Sequence, residues 1–200
     1  MTFVYLMRHS QALKSKDINN DDSLQMQNEK WPLSVEGENI ARKKSFNYEF
    51  IDFDVVFSSN YVRAISTAKY FADDIVNIDE SFDERKFGID SWDDLPDNFE
   101  EMQFNDFDYK MKKGESLNEV IEREYRSLEK ILKHYKNKKI LIVGHSTAFA
   151  SLLSKWCNIN YSGLYTFDEK VIFDGKWNYC ETFKLTFDDE NCLIDIENIK

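Results

Sequence analysis

The 200-residue chain is poor in the residues that interrupt regular structure, with only two prolines and six glycines. Disordered chains are typically poor in apolar residues, whereas 42% of this chain is hydrophobic. We therefore expect a folded protein without long unstructured segments. The length suits one domain that spans residues 1–200.

Cysteine is also scarce. Cys157, Cys180 and Cys192 are an odd number without the spacing of a metal site. Reduced cysteines are typical of the cytosol, so the sequence predicts a reduced, cytoplasmic protein. An N-terminal signal peptide is not expected, because the first apolar run is short and is interrupted by Arg8.

Long hydrophobic runs and excess positive charge are missing as well. No stretch approaches the ~18 apolar residues of a membrane-spanning helix. The formal net charge of −11 argues against binding to nucleic acid or to anionic membrane surfaces. An anion site in this chain must therefore be a local cluster of cations. The oligomeric state has no signal in the sequence.

Strand-like and helix-like patterns alternate along the chain, which is typical of an α/β protein. The apolar runs at residues 3–7 and 139–143 read as buried strands. The segments 181–187 and 192–199 predict a β-hairpin at or near the sheet edge. We expect a three-layer α/β/α sandwich with a mainly parallel sheet and a C-terminal β-hairpin. The other predicted elements are strands at 54–59 and 75–78 and helices at about 34–48, 60–74, 115–135 and 147–156.

Two segments lack a regular pattern. Residues 11–31 read as a polar loop with one irregular turn near residues 24–28. Residues 80–113 form no clear element, although the stretch 89–109 combines eight acidic residues with several aromatic ones and contains no lysine or arginine. Long connections in compact domains are often functional. We expect a lid or cap inserted at about residues 85–113; the alternative is an acidic, solvated loop.

Two of the three histidines directly follow predicted strands. The first strand leads into Arg8 and His9, and the strand at 139–143 leads into His145. Open α/β sheets bind ligands at the carboxyl ends of their strands, so these side chains are expected to meet at the mouth of a site. Taken alone, Arg8 and His9 would fit a strand cap on the surface equally well. His134 falls late in a charged helix and is expected to be solvated or to face the helix C-terminus.

A second arginine indicates which ligand this site takes. Arg63 falls in the first turn of a predicted helix, where a cation opposes the helix dipole and favours an anionic partner. Arginine binds phosphate oxygens bidentately, a neutral imidazole can attack phosphorus, and a protonated one can stabilise the developing charge. A metal site is a poor alternative, because only two histidines are available as ligands and the arginines would repel a dication. No cofactor is expected.

Six short segments, which occur in the family's order, resemble the signatures of the histidine phosphatase superfamily, also called the phosphoglycerate mutase-like family. The first corresponds to its Leu-x-Arg-His-Gly signature. The segments lie at residues 6–10 (Leu-Met-Arg-His-Ser), 32–37 (Pro-Leu-Ser-Val-Glu-Gly), 58–68 (Ser-Ser-Asn-Tyr-Val-Arg-Ala-Ile-Ser-Thr-Ala), 82–88 (Phe-Asp-Glu-Arg-Lys-Phe-Gly), 114–116 (Gly-Glu-Ser) and 143–145 (Val-Gly-His).

The resemblance implies catalytic roles for five residues. His9 would be the nucleophile that becomes phosphohistidine, and Arg8, Arg63 and His145 would hold the phosphoryl group. Glu84 would be the general acid that protonates the leaving oxygen and then the base that activates water.

The assignment of Glu84 depends on the resemblance alone, because its neighbourhood contains many carboxylates. The nearest rival is Asp83. A solvated loop carboxylate without a catalytic role is a further alternative for Glu84.

Three positions depart from the family pattern without removing a catalytic group. Ser10 replaces the motif glycine and must either adopt the same backbone conformation or shift the loop; its hydroxyl is a candidate donor to phosphate. Ser146 stands where many members have glycine and is a further candidate for substrate binding. Gln11 and Ala12 replace the Glu-Thr pair that is frequent in the mutase branch. These departures concern the substrate class more than the activity.

The resemblance implies a metal-independent phosphatase that acts on a phosphomonoester. The alternative enzyme is a cofactor-dependent phosphoglycerate mutase, but the arginine pair and proline-rich insert of that branch are not visible in residues 89–109. A non-catalytic relative that binds a phosphorylated ligand and a purely structural α/β domain are the other classes; the complete set of motif residues favours the enzyme.

The expected partner is a small phosphorylated metabolite or a phosphorylated protein side chain. The acidic, aromatic segment argues against highly phosphorylated ligands. It is compatible with a small monophosphate that bears an apolar or cationic group, or with phosphohistidine on a protein.

Overall fold

The computed structural model describes residues 1–14 and 22–199. Short 3₁₀ helices occur at Tyr48–Phe50, Glu80–Phe82 and Trp92–Asp94. The strands are β1 (Thr2–Arg8), β2 (Val55–Ser58), β3 (Val76–Ile78), β4 (Lys139–Gly144), β5 (Asn158–Ile159), β6 (Leu164–Phe167), β7 (Lys170–Asp174), β8 (Thr182–Phe187) and β9 (Leu193–Ile199). The helices are α1 (Leu24–Lys30), α2 (Val35–Ser45), α3 (Val62–Ala68), α4 (Phe99–Asn105), α5 (Leu117–His134) and α6 (Ser146–Leu153).

The main sheet has six strands in the order β3-β2-β4-β1-β8-β9. The first four are parallel, and β8 pairs antiparallel with both β1 and β9. The predicted mainly parallel sheet with a C-terminal hairpin at its edge is therefore confirmed. None of the helices in the described ranges is long and apolar enough to cross a membrane.

Helices cover both faces of this sheet. Val4 and Leu6 of β1 belong to one core cluster together with residues of α5 and α6. Tyr5 and Met7 of the same strand belong to a second cluster together with residues of α2 and α3. Because successive side chains of a strand point to opposite faces, the two clusters lie on opposite sides of the sheet. The predicted α/β/α sandwich is thus confirmed.

Serine caps define where two of the helices begin. The Ser34 hydroxyl accepts a hydrogen bond from the Gly37 amide, so α2 begins where the sequence predicts. Ser116 and Glu119 form a reciprocal capping box at the start of α5. Each such cap stabilises a helix by roughly 0.5–2 kcal/mol. The two helices therefore pack in a defined register against opposite faces of the sheet.

The segment predicted as a loop contains a helix. Residues 24–30 form α1, capped by Ser23, whereas only an irregular turn was expected there; the part of this loop at residues 15–21 lies outside the described residues. Tertiary contacts support the short helix, because Gln25 donates to the Tyr61 hydroxyl (2.7 Å) and Arg63 donates to the Asn28 carbonyl (2.5 Å). Local sequence patterns do not report such contacts.

Helix α3 is shorter than predicted and buries polar as well as apolar residues. It ends at Ala68 instead of continuing to residue 74. Arg63 and Thr67 are buried together with Ala64 and Ala68, whereas Val62 is 38% exposed. The buried face is partly polar because this helix contributes side chains to the site described below.

The sequence did not predict the second sheet, in which β5, β6 and β7 are antiparallel. Its strands have two to five residues, and Asp168 and Glu169 in its hairpin turn have φ angles of 49° and 63°. Glutamate is an unusual choice for such a turn, which normally contains asparagine or glycine. Without those turn residues, the hairpin has no strong local signal.

Candidate active site

The carboxyl ends of β1 and β4 bring two histidines together. Arg8 pairs with Gly144 across these strands, and the His9 amide donates to the Gly144 carbonyl (2.9 Å). The ring centroids of His9 and His145 are 5.1 Å apart. His134, by contrast, is exposed at the end of α5, as expected for a solvated residue.

The hydrogen bonds of His9 define its tautomer. Nδ1 lies 2.6 Å from the Ser10 carbonyl oxygen, which can only accept, so Nδ1 carries the proton. Nε2 lies 3.0 Å from Arg63 Nε, which can only donate, so Nε2 presents its lone pair. Burial and then the charge of Arg63 hold the pKa of His9 well below its usual range. His9 is therefore neutral and has an unprotonated nitrogen, as a nucleophile requires.

Arg63 is the centre of the polar network. Besides Nε on His9, its Nη1 donates to the Asn28 carbonyl (2.5 Å) and its Nη2 lies 3.4 Å from His145 Nδ1. Its guanidinium also lies 4.7 Å from the centroid of the Tyr61 ring. The side chain is only 5% exposed, yet these hydrogen-bond partners include no carboxylate. Its positive charge therefore remains available to an anionic ligand.

His145 is fully buried and contacts the site through Arg63. Its Nε2 lies 2.9 Å from the Ser59 hydroxyl, and its ring packs edge-on to Tyr61 at 4.6 Å. Because Arg63 can only donate to Nδ1, the ring proton lies on Nε2 and points to Ser59. Burial and then Arg63 hold the pKa of His145 well below its usual range. Its expected contact with the phosphoryl group stays a prediction.

Arg8 lines the same cleft as His9. Its Nη1 donates to the Trp177 carbonyl, and its guanidinium lies 5.0 Å from the centroid of the Tyr179 ring. Its Nε has no acceptor within residues 1–14 and 22–199. Burial lowers the pKa of Arg8. The partly unsatisfied guanidinium is a second donor for an anion in this cleft.

The two serines that follow the histidines differ in their surroundings. Ser10 is fully buried; its hydroxyl donates to the Gly37 carbonyl (2.7 Å) and its amide donates to Thr67 Oγ1 (3.0 Å). The sequence had suggested this hydroxyl as a donor to phosphate. In the structure its proton is used within the protein and is not free for phosphate. Ser146 is the first residue of α6 and lines the cleft.

The motif glycine at residue 37 has a packing reason. A Cβ atom at Gly37 would lie 2.1 Å from the Gln11 carbonyl oxygen, which is far inside contact distance. The close approach of these two backbone segments holds the Ser10 loop against the start of α2.

Of the two candidate acids, only Glu84 is among the residues that line the cleft. Asp83 is 5% exposed, and its Oδ1 accepts a hydrogen bond from the Asn60 amide (2.9 Å). Burial raises the pKa of Asp83 to about 7. Arg123 donates to the carbonyls of Ser81 (2.7 Å) and Asp83 (2.9 Å), which fixes the backbone that carries both carboxylates.

The cleft has a volume of about 720 Å³. Within the described ranges, the structure has no group of three or more histidine, cysteine or acidic side chains that could hold a metal ion. The cleft is lined by Arg8, His9, Ala12, Lys14, Leu24, Gln27, Asn28, Trp31, Arg63, Glu84, Phe87, Trp92 and Ser146.

Sequence reasoning did not single out several residues that hold the site in place. Ser59 had a usable signal, because it directly follows β2 as His9 follows β1. Asn28 had no such signal, because its backbone carbonyl, and not its side chain, accepts the hydrogen bond from Arg63. Trp177 likewise acts through a carbonyl, in a segment without a recognisable pattern.

The comparisons with known proteins agree with this geometry. The model of the histidine phosphatase superfamily (branch 1) matches residues 4–195. A Bacillus subtilis (strain 168) protein named uncharacterized phosphatase PhoE is 31% identical over 159 residues, which cover 78% of this chain and 77% of that protein.

Solved structures with low sequence identity share the fold. A mycobacterial glucosyl-3-phosphoglycerate phosphatase, in complex with inorganic phosphate, has a TM-score of 0.70 at 14% identity, over 99% of this chain and 95% of that one. An Entamoeba histolytica phosphoserine phosphatase, in complex with 3-phosphoglyceric acid, has a TM-score of 0.69 at 18% identity, over 100% of this chain and 98% of that one. The match of the family model over nearly the whole chain shows that the protein belongs to the histidine phosphatase superfamily.

Proposed function

We propose that this protein is a metal-independent phosphatase that hydrolyses a phosphomonoester through a phosphohistidine at His9. The observation that carries the proposal is a neutral, buried His9 whose Nε2 lone pair lies beside the cationic Arg63 and Arg8 in one cleft. The relatives that are named phosphatases support the same class.

In the first step, His9 Nε2 attacks phosphorus and forms the N–P bond while the ester P–O bond breaks. Arg63 Nε, which now donates to Nε2, turns to a phosphoryl oxygen, and Arg8 donates to another. These charge-assisted hydrogen bonds stabilise the charge on the equatorial oxygens. Glu84 donates a proton to the leaving oxygen, so the product is an alcohol.

In the second step, Glu84 accepts a proton from a water molecule, and the oxygen of that water attacks phosphorus. The N–P bond breaks, its electron pair returns to His9 Nε2, and inorganic phosphate leaves. The site is then restored without a metal ion or an organic cofactor.

We further propose that residues 85–113 act as a lid on a single domain and that the protein acts in the cytoplasm.

The main alternative is a phosphoglycerate mutase, which must also bind the carboxylate of its substrate. Besides Arg8 and Arg63, Lys14 is the one cation among the described residues that line the cleft. This small number of cations favours hydrolysis of a substrate with one anionic group.

The proposal is tested by rapid quench of the enzyme with ³²P-labelled substrate, followed by isolation in alkali, in which phosphohistidine survives. Wild-type protein should carry base-stable label, and His9→Ala should carry none and should not turn over. The matched control is His134→Ala, which removes an exposed histidine and should leave labelling unchanged. Wild-type labelling in His9→Ala would overturn the proposal.

A further inference from the structure

We propose that the cleft selects phosphomonoesters whose leaving group carries an uncharged aromatic ring. This inference rests on the proposed function and specifies the substrate class. It comes from the part of the cleft that the phosphoryl group does not fill.

The cleft is much larger than a phosphoryl group. Its volume of about 720 Å³ falls in the range of ~300–1,000 Å³ that is typical of sites for whole organic ligands. Arg8, His9 and Arg63 account for the phosphoryl end. Five of the ten remaining lining residues are apolar, and three of these have aromatic side chains, which we call the aromatic lining: Trp31, Phe87 and Trp92.

One member of the aromatic lining, Phe87, is fixed by packing. The Phe87 ring meets the Trp92 ring edge-on, with 5.2 Å between centroids and 76° between planes. The Arg85 guanidinium lies 4.5 Å from the Phe87 centroid, and its Nη2 pairs with Glu100 at 2.7 Å. Arg85 is only 2% exposed. The Phe87 ring is therefore held before a ligand arrives, which lowers the entropic cost of binding one.

The third member, Trp31, is tied to the phosphoryl end. It follows α1 directly, and the same helix provides the Asn28 carbonyl that receives Arg63 Nη1. Lys14 Nζ lies 5.6 Å from the centroid of the Trp31 ring system. One short helix thus sets the position of both an aromatic side chain and the arginine that contacts His9.

The charges of the lining argue against a second anionic group on the substrate. Of the described lining residues, only Lys14 adds a positive charge to those of Arg8 and Arg63, and it lies against an aromatic ring. A carboxylate or second phosphate would therefore find no arginine to bind, whereas an uncharged ring can stack on or pack edge-on to aromatic side chains.

The test compares 2-(1-naphthyl)ethyl phosphate with ethyl phosphate. Both release a primary alkoxide of similar basicity, so the chemical step makes the same demand on Glu84 and the difference reports binding of the ring. We expect the naphthyl ester to have a KM at least tenfold lower, with a similar kcat. Trp31→Ala and Phe87→Ala should raise the KM of the naphthyl ester about tenfold and change the KM of ethyl phosphate much less.

Two further variants make this result specific. Trp31→Phe keeps an aromatic ring and should retain most of the preference. Tyr48→Ala removes an aromatic side chain that is 88% exposed and does not line the cleft; it should change neither KM. Turnover of ethyl phosphate by each variant shows that it has folded.

The outcomes separate the two proposals. Equal KM values for the two esters, or a preference for phosphoserine or 3-phosphoglycerate, would overturn the ring selectivity and leave the phosphatase proposal standing. If the wild type hydrolyses neither ester and forms no phosphohistidine with p-nitrophenyl phosphate, both proposals are wrong.

Discussion

Arg63 Nε donates a 3.0 Å hydrogen bond to His9 Nε2, the nitrogen that attacks phosphorus in the proposed mechanism. Burial, together with the charge of this guanidinium, keeps the imidazole neutral. The same guanidinium orients the imidazole by its hydrogen bond and remains available for a phosphoryl oxygen. Its own position depends on the Asn28 carbonyl in α1. The nucleophile and its activating charge are thus parts of one buried unit.

Replacing Arg63 by methionine should lower kcat/KM by roughly 10²–10³, as is typical when a transition-state donor is lost. It should also move the acid limb of the pH profile. In the wild type, the pKa of His9 lies well below 6.5, so its protonation should not reduce kcat/KM near pH 6.5. Loss of the positive charge raises the pKa of His9, so the decline of kcat/KM towards acidic pH should begin at a higher pH than in the wild type.

Arg126→Met is the control for this experiment, because Arg126 is exposed and pairs with Glu122 on the surface of α5. Its profile should match the wild type. An unchanged acid limb in Arg63→Met, despite reduced activity, would contradict the electrostatic role of Arg63 towards His9.

Glu84→Gln should slow phosphorylation of His9 much more for an alkyl phosphate than for p-nitrophenyl phosphate. An alkoxide needs a proton as it leaves, whereas nitrophenolate leaves largely unaided, and the difference should approach the ~10²–10⁴ of general acid catalysis. With p-nitrophenyl phosphate, stopped-flow traces should show a burst and then a slow steady state, because water attack has lost its base.

Asp83→Asn is measured in parallel with both substrates. Since the Asp83 side chain is buried and bonded to the Asn60 amide, its loss should affect the two substrates alike. If Asp83→Asn alone shows dependence on the leaving group, the acid is Asp83. If Glu84→Gln slows both substrates equally, Glu84 is not the acid.

Chelators should leave the rate unchanged. The charge of the phosphoryl group is met by the guanidinium groups of Arg8 and Arg63, so the mechanism requires no dication. The assay is steady-state hydrolysis before and after dialysis against EDTA. Loss of activity that Mg²⁺ or Zn²⁺ restores would show that the arginines are not sufficient.

Glu124 should make the stability depend on pH. It is fully buried in α5, and neither carboxyl oxygen has a hydrogen-bond partner in the described part of the chain. Burial raises its pKa well above the ordinary value of 4.5. Above pH 4.5, the folded state therefore binds more protons than the unfolded state, and the free energy of unfolding falls as the pH rises.

The measurement is urea denaturation at pH 5 and pH 8. Glu124→Gln cannot ionise, so it should resemble the wild type at pH 5 and be more stable than the wild type at pH 8. Glu122→Gln, an exposed position on the same helix, should follow the wild type at both values. A pH dependence of stability in Glu124→Gln equal to that of the wild type would show that the carboxyl ionises without penalty.

The order of strands and helices was predictable because β1 and β4 are apolar runs. The site residues were recognisable because ionisable side chains, those of His9 and His145, directly follow these two strands. The convergence of His9 and His145 follows from parallel pairing alone. Features that depend on tertiary contacts were not predictable. They include α1, the polar buried face of α3, and the second sheet.

The same distinction holds within the site. The positions of Arg8 and Arg63 had side-chain signals, whereas the carbonyls of Asn28 and Trp177 that hold them had none. The orientation of the Ser10 hydroxyl depends on Gly37, which is distant in sequence. The contacts of His145 with Ser59 and Arg63 join segments that are distant in sequence and therefore required the structure.

The position of β1 has a consequence for folding. This strand precedes the other strands in sequence, but its two neighbours are β4 (Lys139–Gly144) and β8 (Thr182–Phe187). Its hydrogen bonds are therefore non-local, and such pairing closes slowly. Until then, an apolar strand with two open edges is exposed to aggregation. The strand that leads into the proposed nucleophile is thus one whose pairing depends on distant parts of the chain.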